Sequence, residues 1–407
     1  MKKALLVTTV SGFVPQFEMN NVKILQEMGY EVHYAANYDM PSYGTDNHRL
    51  DGTGIIRHQV DFIRSPYSVQ NLHVYKQLKT LMRQVQFQLV HCHTPMGGVM
   101  ARLAAHATKT RPVIYTAHGF HFFKGAPLIN WLVYYPVERW LSRYTDQQIC
   151  INQEDYEWAK TFHARQVDYI PGAGMNYRNI RFLSQKERDA KRTELGISEA
   201  KRILLSVGEL IPRKNHESVI RAVAKLQDPS VVYVICGFGE LDHELRKLTK
   251  ELGVENQVLF AGYRSDVFEI YQIADLYVFP SYQEGLPMAL LEAMSFGLPV
   301  VCSDIRGSRD LMDGQMGRKT EQEETASGAG LQKGKSGFGA SWRQCGGGAL
   351  ISRANDVETY AEVIQDVLRN PERLKSCGKR NGKAAEEFSL ERVDARMREI
   401  YKRIENL

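Results

Sequence analysis

No stretch of this 407-residue chain is both long and apolar enough to cross a bilayer, which takes about 20 consecutive apolar residues. Lys2 and Lys3 precede a short apolar run, but the run is too brief for a signal peptide and reads as a buried first strand. The six cysteines, at 92, 150, 236, 302, 345 and 377, form no Cys-x-x-Cys pair. That spacing suggests neither a zinc ribbon nor a disulfide framework, and the expected compartment is a reducing cytoplasm. There is no Asp-x-Asp motif of the kind that holds a metal against a diphosphate. Neither sign of charge dominates: 52 Lys and Arg stand against 47 Asp and Glu, a net charge of +5. This is too weak to indicate a nucleic-acid partner, but it suits anionic small ligands or an anionic membrane surface.

What is present is ordinary globular composition, 43% hydrophobic and 24% charged, in a length that suits two domains of about 200 residues each. Continuous apolar runs at 4–9, 31–36, 89–93, 113–117, 148–151 and 167–170 read as strands. So do those at 202–207, 231–236, 258–261, 276–279 and 299–302. Runs of this kind mark parallel strands covered on both faces. Helical periodicity lies between them, at 20–28, 216–226, 240–252 and 286–296. The repeated alternation predicts an α/β chain of two doubly wound domains. The first is expected over 1–172, a linker over 173–200, the second over 201–388, and a charged helix over 389–407. Residues 315–348 are rich in Gly, Ser, Lys and Glu without apolar periodicity and read as a low-complexity insertion outside the core.

The chemistry concentrates after the strand at 276–279, in Glu284-Gly-Leu-Pro287 through Glu292. Ligands of open α/β sheets bind at the carboxyl ends of strands. Pro287 suits the first turn of a helix. Backbone N–H groups from Gly285 and Leu286 to Met288 would then face an anion such as a diphosphate. Eight helical residues span roughly 12 Å, whereas glycosidase carboxylates flank one bond at about 5–10 Å. The Glu284–Glu292 spacing therefore fits a grip on two ends of an elongated ligand. Three further loops follow strands: Gly208-Glu209 to Arg213-Lys214, which delivers two cations; Gly237-Phe-Gly239; and Gly262-Tyr263-Arg264.

The order of these loops resembles the donor domain of the retaining glycosyltransferases of family 4, whose hallmark is a Glu, seven residues, and a second Glu. The family implies the GT-B architecture, two Rossmann-like domains facing across a cleft. By this resemblance Glu292 binds the ribose hydroxyls, Glu284 the donor sugar, and Gly285 to Pro287 the diphosphate. Lys214 neutralises the leaving group, and Arg213, Gly237 and Tyr263 complete the donor site. The family places Arg where this chain has Glu209, so Arg213 is the expected substitute.

The first half offers Ser11-Gly12-Phe13, His91-Cys-His93-Thr-Pro and His118-Gly-Phe-His121. Four histidines bring zinc to mind, but no carboxylate or thiolate stands at ligand spacing apart from Cys92, and no metal is expected. The resemblance places Gly12 near the diphosphate and His118 beside the donor sugar and acceptor hydroxyl; His121 reads as a packing residue. Residues 121–144 are dense in aromatic and aliphatic side chains interspersed with Lys124, Arg139 and Arg143, which suits a bilayer headgroup boundary or an aromatic core helix. The wider segment from Tyr115 to Asp155 resembles transferases of bacterial exopolysaccharide, capsule and lipid-linked glycan assembly. The implied reaction is metal-independent transfer of a hexosyl or N-acetylhexosaminyl group from a nucleotide-diphosphate sugar, with uridine as the base. The implied acceptor is a saccharide on undecaprenyl diphosphate at the inner face of the cytoplasmic membrane. A nucleotide-sugar epimerase of the same architecture and a non-catalytic nucleotide-sugar-binding subunit are the alternatives.

Overall fold

The computed structural model describes residues 1–42, 46–176, 180–313 and 341–405. The chain divides into two compact units, Met1–Gly174 with Leu390–Leu407, and Met175–Ser389. The segment 173–200, read as a linker, carries the helix Gln185–Glu194, which falls in the second unit with a Ser184–Glu187 capping box.

The first unit holds a seven-stranded parallel sheet. Its strands are β1 (Lys2–Val10), β2 (Tyr30–Asn37), β3 (Ile56–Gln59), β4 (Leu89–His93), β5 (Val113–Ala117), β6 (Gln147–Cys150) and β7 (Gln166–Tyr169), in the order β3-β2-β1-β4-β5-β6-β7. The order reverses between β1 and β4, so the loops leaving these two strands open a crevice at their carboxyl ends. One face of the sheet packs against Val74, Leu78 and Met82 of the helix Asn71–Val85. The other is covered by Val22, Ile24 and Leu25 and by Val393, Met397, Ile400, Tyr401 and Ile404 of the helix Leu390–Glu405.

The second unit repeats the plan. β8 (Arg202–Val207), β9 (Val231–Cys236), β10 (Val258–Gly262), β11 (Leu276–Phe279), β12 (Val300–Ser303), β13 (Trp342–Cys345) and β14 (Gly348–Ile351) run in the order β10-β9-β8-β11-β12-β14-β13. The last pair is antiparallel and the rest are parallel. The reversal here lies between β8 and β11. Residues 341–348 correct the low-complexity reading: they build β13, its turn and the start of β14, whose residues are all buried. The remainder of that reading, 315–340, lies outside the described residues.

Candidate active site

In the second unit the reversal point gathers the predicted donor residues. Pro212–Lys214 form a short 3-10 turn after β8, and Glu284 sits in the loop after β11. Both cations reach one carboxylate oxygen. Arg213 Nη1 donates to Glu284 Oε1 at 2.5 Å and Lys214 Nζ to the same atom at 2.7 Å. Lys214 also stands 5.3 Å from the Phe279 ring centre, and the side chains of Lys214 and Glu284 are largely buried. A third cation, the guanidinium of buried Arg306, donates from Nε to the Glu284 carbonyl at 3.2 Å. Arg306 had no signal in the sequence, since it comes from a helix beyond the Glu284 motif. Glu209 is exposed, and Arg213 stands with Lys214 on the same Glu284 oxygen.

Pro287 is the cap of the helix Met288–Ser295 rather than its first turn; its carbonyl accepts from Leu290 and Leu291 N–H. The first helical N–H groups are therefore those of Met288 and Ala289, which helix geometry leaves without intrahelical partners. Gly285, Leu286 and Pro287 form the approach to this helix. Glu292 lies a turn further in, where burial raises its carboxyl to about 7. The Tyr271 hydroxyl stands 3.0 Å from both the Ala289 carbonyl and Glu292 Oε2. One hydroxyl proton serves only one acceptor, so both contacts are satisfied when Glu292 itself is protonated and donates.

Gly237 follows β9 with φ +153°, and a Cβ there would fall 1.9 Å from the Gly208 carbonyl oxygen, so no side chain fits. On the neighbouring loops Phe238 and Tyr263 are both exposed, 65% and 76%, with ring centres 6.2 Å apart. Tyr263 was expected. Phe238 was passed over between its two glycines, although an exposed aromatic there is the signal that could have found it.

In the first unit Gly12 caps the helix Phe13–Phe17 after β1, and His93 and His118 close the ends of β4 and β5. His93 Nδ1 and His118 Nε2 are 3.1 Å apart. The carboxylate that linear spacing did not reveal is Glu18, from the loop after β1. Its Oε1 lies 3.5 Å from His93 Nδ1 and 3.6 Å from His118 Nε2, while Oε2 accepts from Asn21 at 2.5 Å. Burial raises Glu18 to about 7, lowers His118 to about 4 and pushes His93 well below the usual imidazole range. Thr94, beside His93, holds φ +61°, an outlier for a β-branched residue, and its Oγ1 is tied to Thr9 N–H and Oγ1. His91 is structural: its two nitrogens meet Tyr401 Oη and Thr116 Oγ1, both at 2.8 Å. His121 stacks on Tyr134.

Residues 2–152 match the family model Glycosyl transferase 4-like, and residues 187–317 match Glycosyl transferases group 1. EpsD of Bacillus subtilis (strain 168), which carries the name of a glycosyltransferase, is 36% identical over 98% of this chain and 96% of its own. The chain belongs to the group 1 and 4-like glycosyltransferases. An Escherichia coli relative, UDP-Gal:alpha-D-GlcNAc-diphosphoundecaprenol alpha-1,3-galactosyltransferase, is 30% identical over 61% of this chain and 67% of its own. Among solved structures, Anabaena HepE in complex with UDP matches 99% of this chain and 100% of its own, with a TM-score of 0.73 and 18% identity. The glycosyltransferase thus has the GT-B fold.

The aromatic segment of this glycosyltransferase forms the helix Leu128–Leu141. Trp131, Tyr134 and Tyr135 pack against the core, while Leu128, Ile129, Leu132, Val137 and Trp140 are exposed. The core-packing reading thus describes one face of this helix, and the other face is exposed and largely apolar. It is anchored by Glu138, which accepts from the fully buried Arg102 at 2.9 Å. Lys124, Arg139 and Arg143 are exposed. Among the described residues no helix is long and apolar enough to cross a membrane.

Proposed function

We propose that this glycosyltransferase moves a hexosyl or N-acetylhexosaminyl group, with retention, from a UDP-sugar to a saccharide carried on undecaprenyl diphosphate, in surface polysaccharide assembly. The observation that carries the reading is the convergence of Arg213 and Lys214 on Glu284 at the strand reversal of the second unit. Two cations held on one carboxylate form a phosphate clamp that an incoming diphosphate takes over. Glu284, released from them, turns to the hydroxyls of the donor sugar. Met288 and Ala289 N–H groups add the field of a helix start to the diphosphate. Ionised Glu292 accepts from the ribose hydroxyls, and the exposed Phe238 and Tyr263 rings offer π-faces for the base.

In the reaction the bond from the anomeric carbon to the diphosphate oxygen breaks first in extent. The acceptor hydroxyl adds to the same face, and its proton passes to the departing phosphate oxygen. Arg213 and Lys214 stabilise the charge that grows on the leaving group. No step requires a bound metal. His118, neutral through burial, is a hydrogen-bonding partner for sugar or acceptor hydroxyls; Gly12, where a Cβ would fall 1.7 Å from the Ser42 carbonyl oxygen, leaves the loop after β1 open to the diphosphate. The lipid-linked acceptor is supported by the Escherichia coli relative, and uridine by that relative and by HepE. The exposed face of the helix Leu128–Leu141, bordered by Lys124, Arg139 and Arg143, is suited to an anionic membrane surface and to a peripheral position on the inner face of the cytoplasmic membrane.

The test is product formation from UDP-sugars and undecaprenyl-diphosphate-linked acceptors, read by mass spectrometry. Glu284→Ala is expected to abolish transfer while UDP binding stays measurable by calorimetry; turnover at the wild-type rate would refute the assignment. Conversion of the donor sugar without acceptor would instead indicate an epimerase.

A further inference from the structure

Glu18, His93 and His118 gather two imidazoles and one carboxylate at the carboxyl end of the first sheet. A tetrahedral zinc ion with bonds of about 2.0–2.2 Å places its ligand atoms ~3.3–3.5 Å apart. The three atoms here are separated by 3.1, 3.5 and 3.6 Å. Glu18 caps the short helix after β1, His93 ends β4 and His118 follows β5, three adjacent strands, so their convergence is a property of the sheet order rather than of one segment. Asn21 occupies Glu18 Oε2 and leaves Oε1 to the histidines. Glu18, His93 and His118 each offer one ligand atom, all within 4.8 Å of one another. His93 with its proton on Nε2 presents Nδ1, which then accepts from His118 Nε2–H at 3.1 Å; an ion replaces that hydrogen bond once the His118 proton sits on Nδ1. A second observation is a cavity of about 30 Å³ lined by Glu18, His118, Asn20, Asn21 and Thr116. It is roomy enough for water beside Glu18 and His118, and water is the usual fourth ligand of a three-residue zinc site.

We propose that Glu18 Oε1, His93 Nδ1 and His118 Nε2 form a three-ligand site for a zinc-class divalent transition-metal ion, and that an ion there inhibits sugar transfer by occupying His118. Two imidazoles and one carboxylate are a donor set for such ions, not for magnesium or calcium, which prefer all-oxygen shells. The inhibitory half rests on the transferase reading given above; the binding half does not.

The experiment uses the full chain, stripped with chelator, and titrates Zn²⁺ by calorimetry and Co²⁺ by visible absorption. One ion per chain and an intense tetrahedral Co²⁺ spectrum are expected. Glu18→Gln keeps the volume and the Asn21 contact but removes the charge, and should weaken both ions more than about tenfold, beyond what loss of a supporting partner costs. Circular dichroism verifies its fold, and His118→Ala is the second variant, expected to lose the spectrum altogether. Zn²⁺ should inhibit wild-type transfer over its own binding range and require more than tenfold higher concentration against Glu18→Gln. Absence of stoichiometric binding, or equal affinity in Glu18→Gln and wild type, overturns the site. Tight, Glu18-dependent binding by a protein that transfers no sugar from any donor would uphold the site and refute the transferase reading instead.

Discussion

Glu284 and Glu292 stand eight residues apart and meet opposite electrostatic fates. Glu284 is neutralised by two cations, whereas Glu292 is desolvated and hydrogen-bonded only to the Tyr271 hydroxyl among the described side chains. A carboxyl raised to about 7 in the folded state but ordinary when unfolded makes the folded state bind more protons between those values. Its contribution to stability is therefore greatest at low pH and is lost as pH rises through about 7. Ribose hydroxyls need the ionised form, so donor affinity should move the other way and weaken below about pH 7. Glu292→Gln is expected to raise the donor KM several-fold and flatten its pH dependence. The same variant should melt ~2–4 °C higher than wild type at pH 8, read by calorimetry. An unchanged KM would remove Glu292 from the ribose. The two glutamates and Lys214 were legible because motif and spacing lie within single loops. Glu18 was not: it meets His93 across 75 residues, and only the folded sheet makes them neighbours.

Most strands that sequence revealed are buried on both faces, where apolar runs are continuous; β7 and β10 are only partly buried and were read from Val167 and from Val258-Leu-Phe-Ala. β3, Ile56–Gln59, is mostly exposed, carries Arg, His and Gln, and so escaped. β14 escaped for a different reason. Its first residue is glycine because a Cβ at 348 would fall 1.8 Å from the Val300 carbonyl, so the glycine run that looked like low complexity is close packing. The helix Leu128–Leu141 was ambiguous because it is apolar on two sides, and no single period describes it. Its two faces can be separated by mutation. Leu128→Glu with Leu132→Glu should abolish sedimentation with anionic vesicles and leave the melting temperature within about a degree, since both side chains are exposed. Glu138→Ala should cost about 3–5 kcal/mol in urea unfolding, because it strands the buried Arg102 charge.

On the scale of the whole molecule the two units respond to different ligands and lesions. Hydrogen exchange can read each separately. UDP should slow exchange in the loops after β8, β9, β10 and β11 of the second unit. Ile400→Ala, which opens a cavity under the first sheet worth about 2–5 kcal/mol, should speed exchange in β1 and β2. Protection of the first unit alone by UDP would contradict the donor assignment.

The helix Leu390–Glu405 also sets an order of events during synthesis. The first unit's strands are complete by residue 174, yet their second face waits for residues made 216 positions later (390 minus 174). At about 5–20 residues per second the ribosome takes roughly 10–40 s to reach them. Throughout that interval Leu6, Tyr34 and Ile114 lack part of their cover. The first unit to leave the ribosome is thus the last to be finished, and a chain stalled inside the second unit would present a sticky, half-roofed sheet to chaperones and proteases.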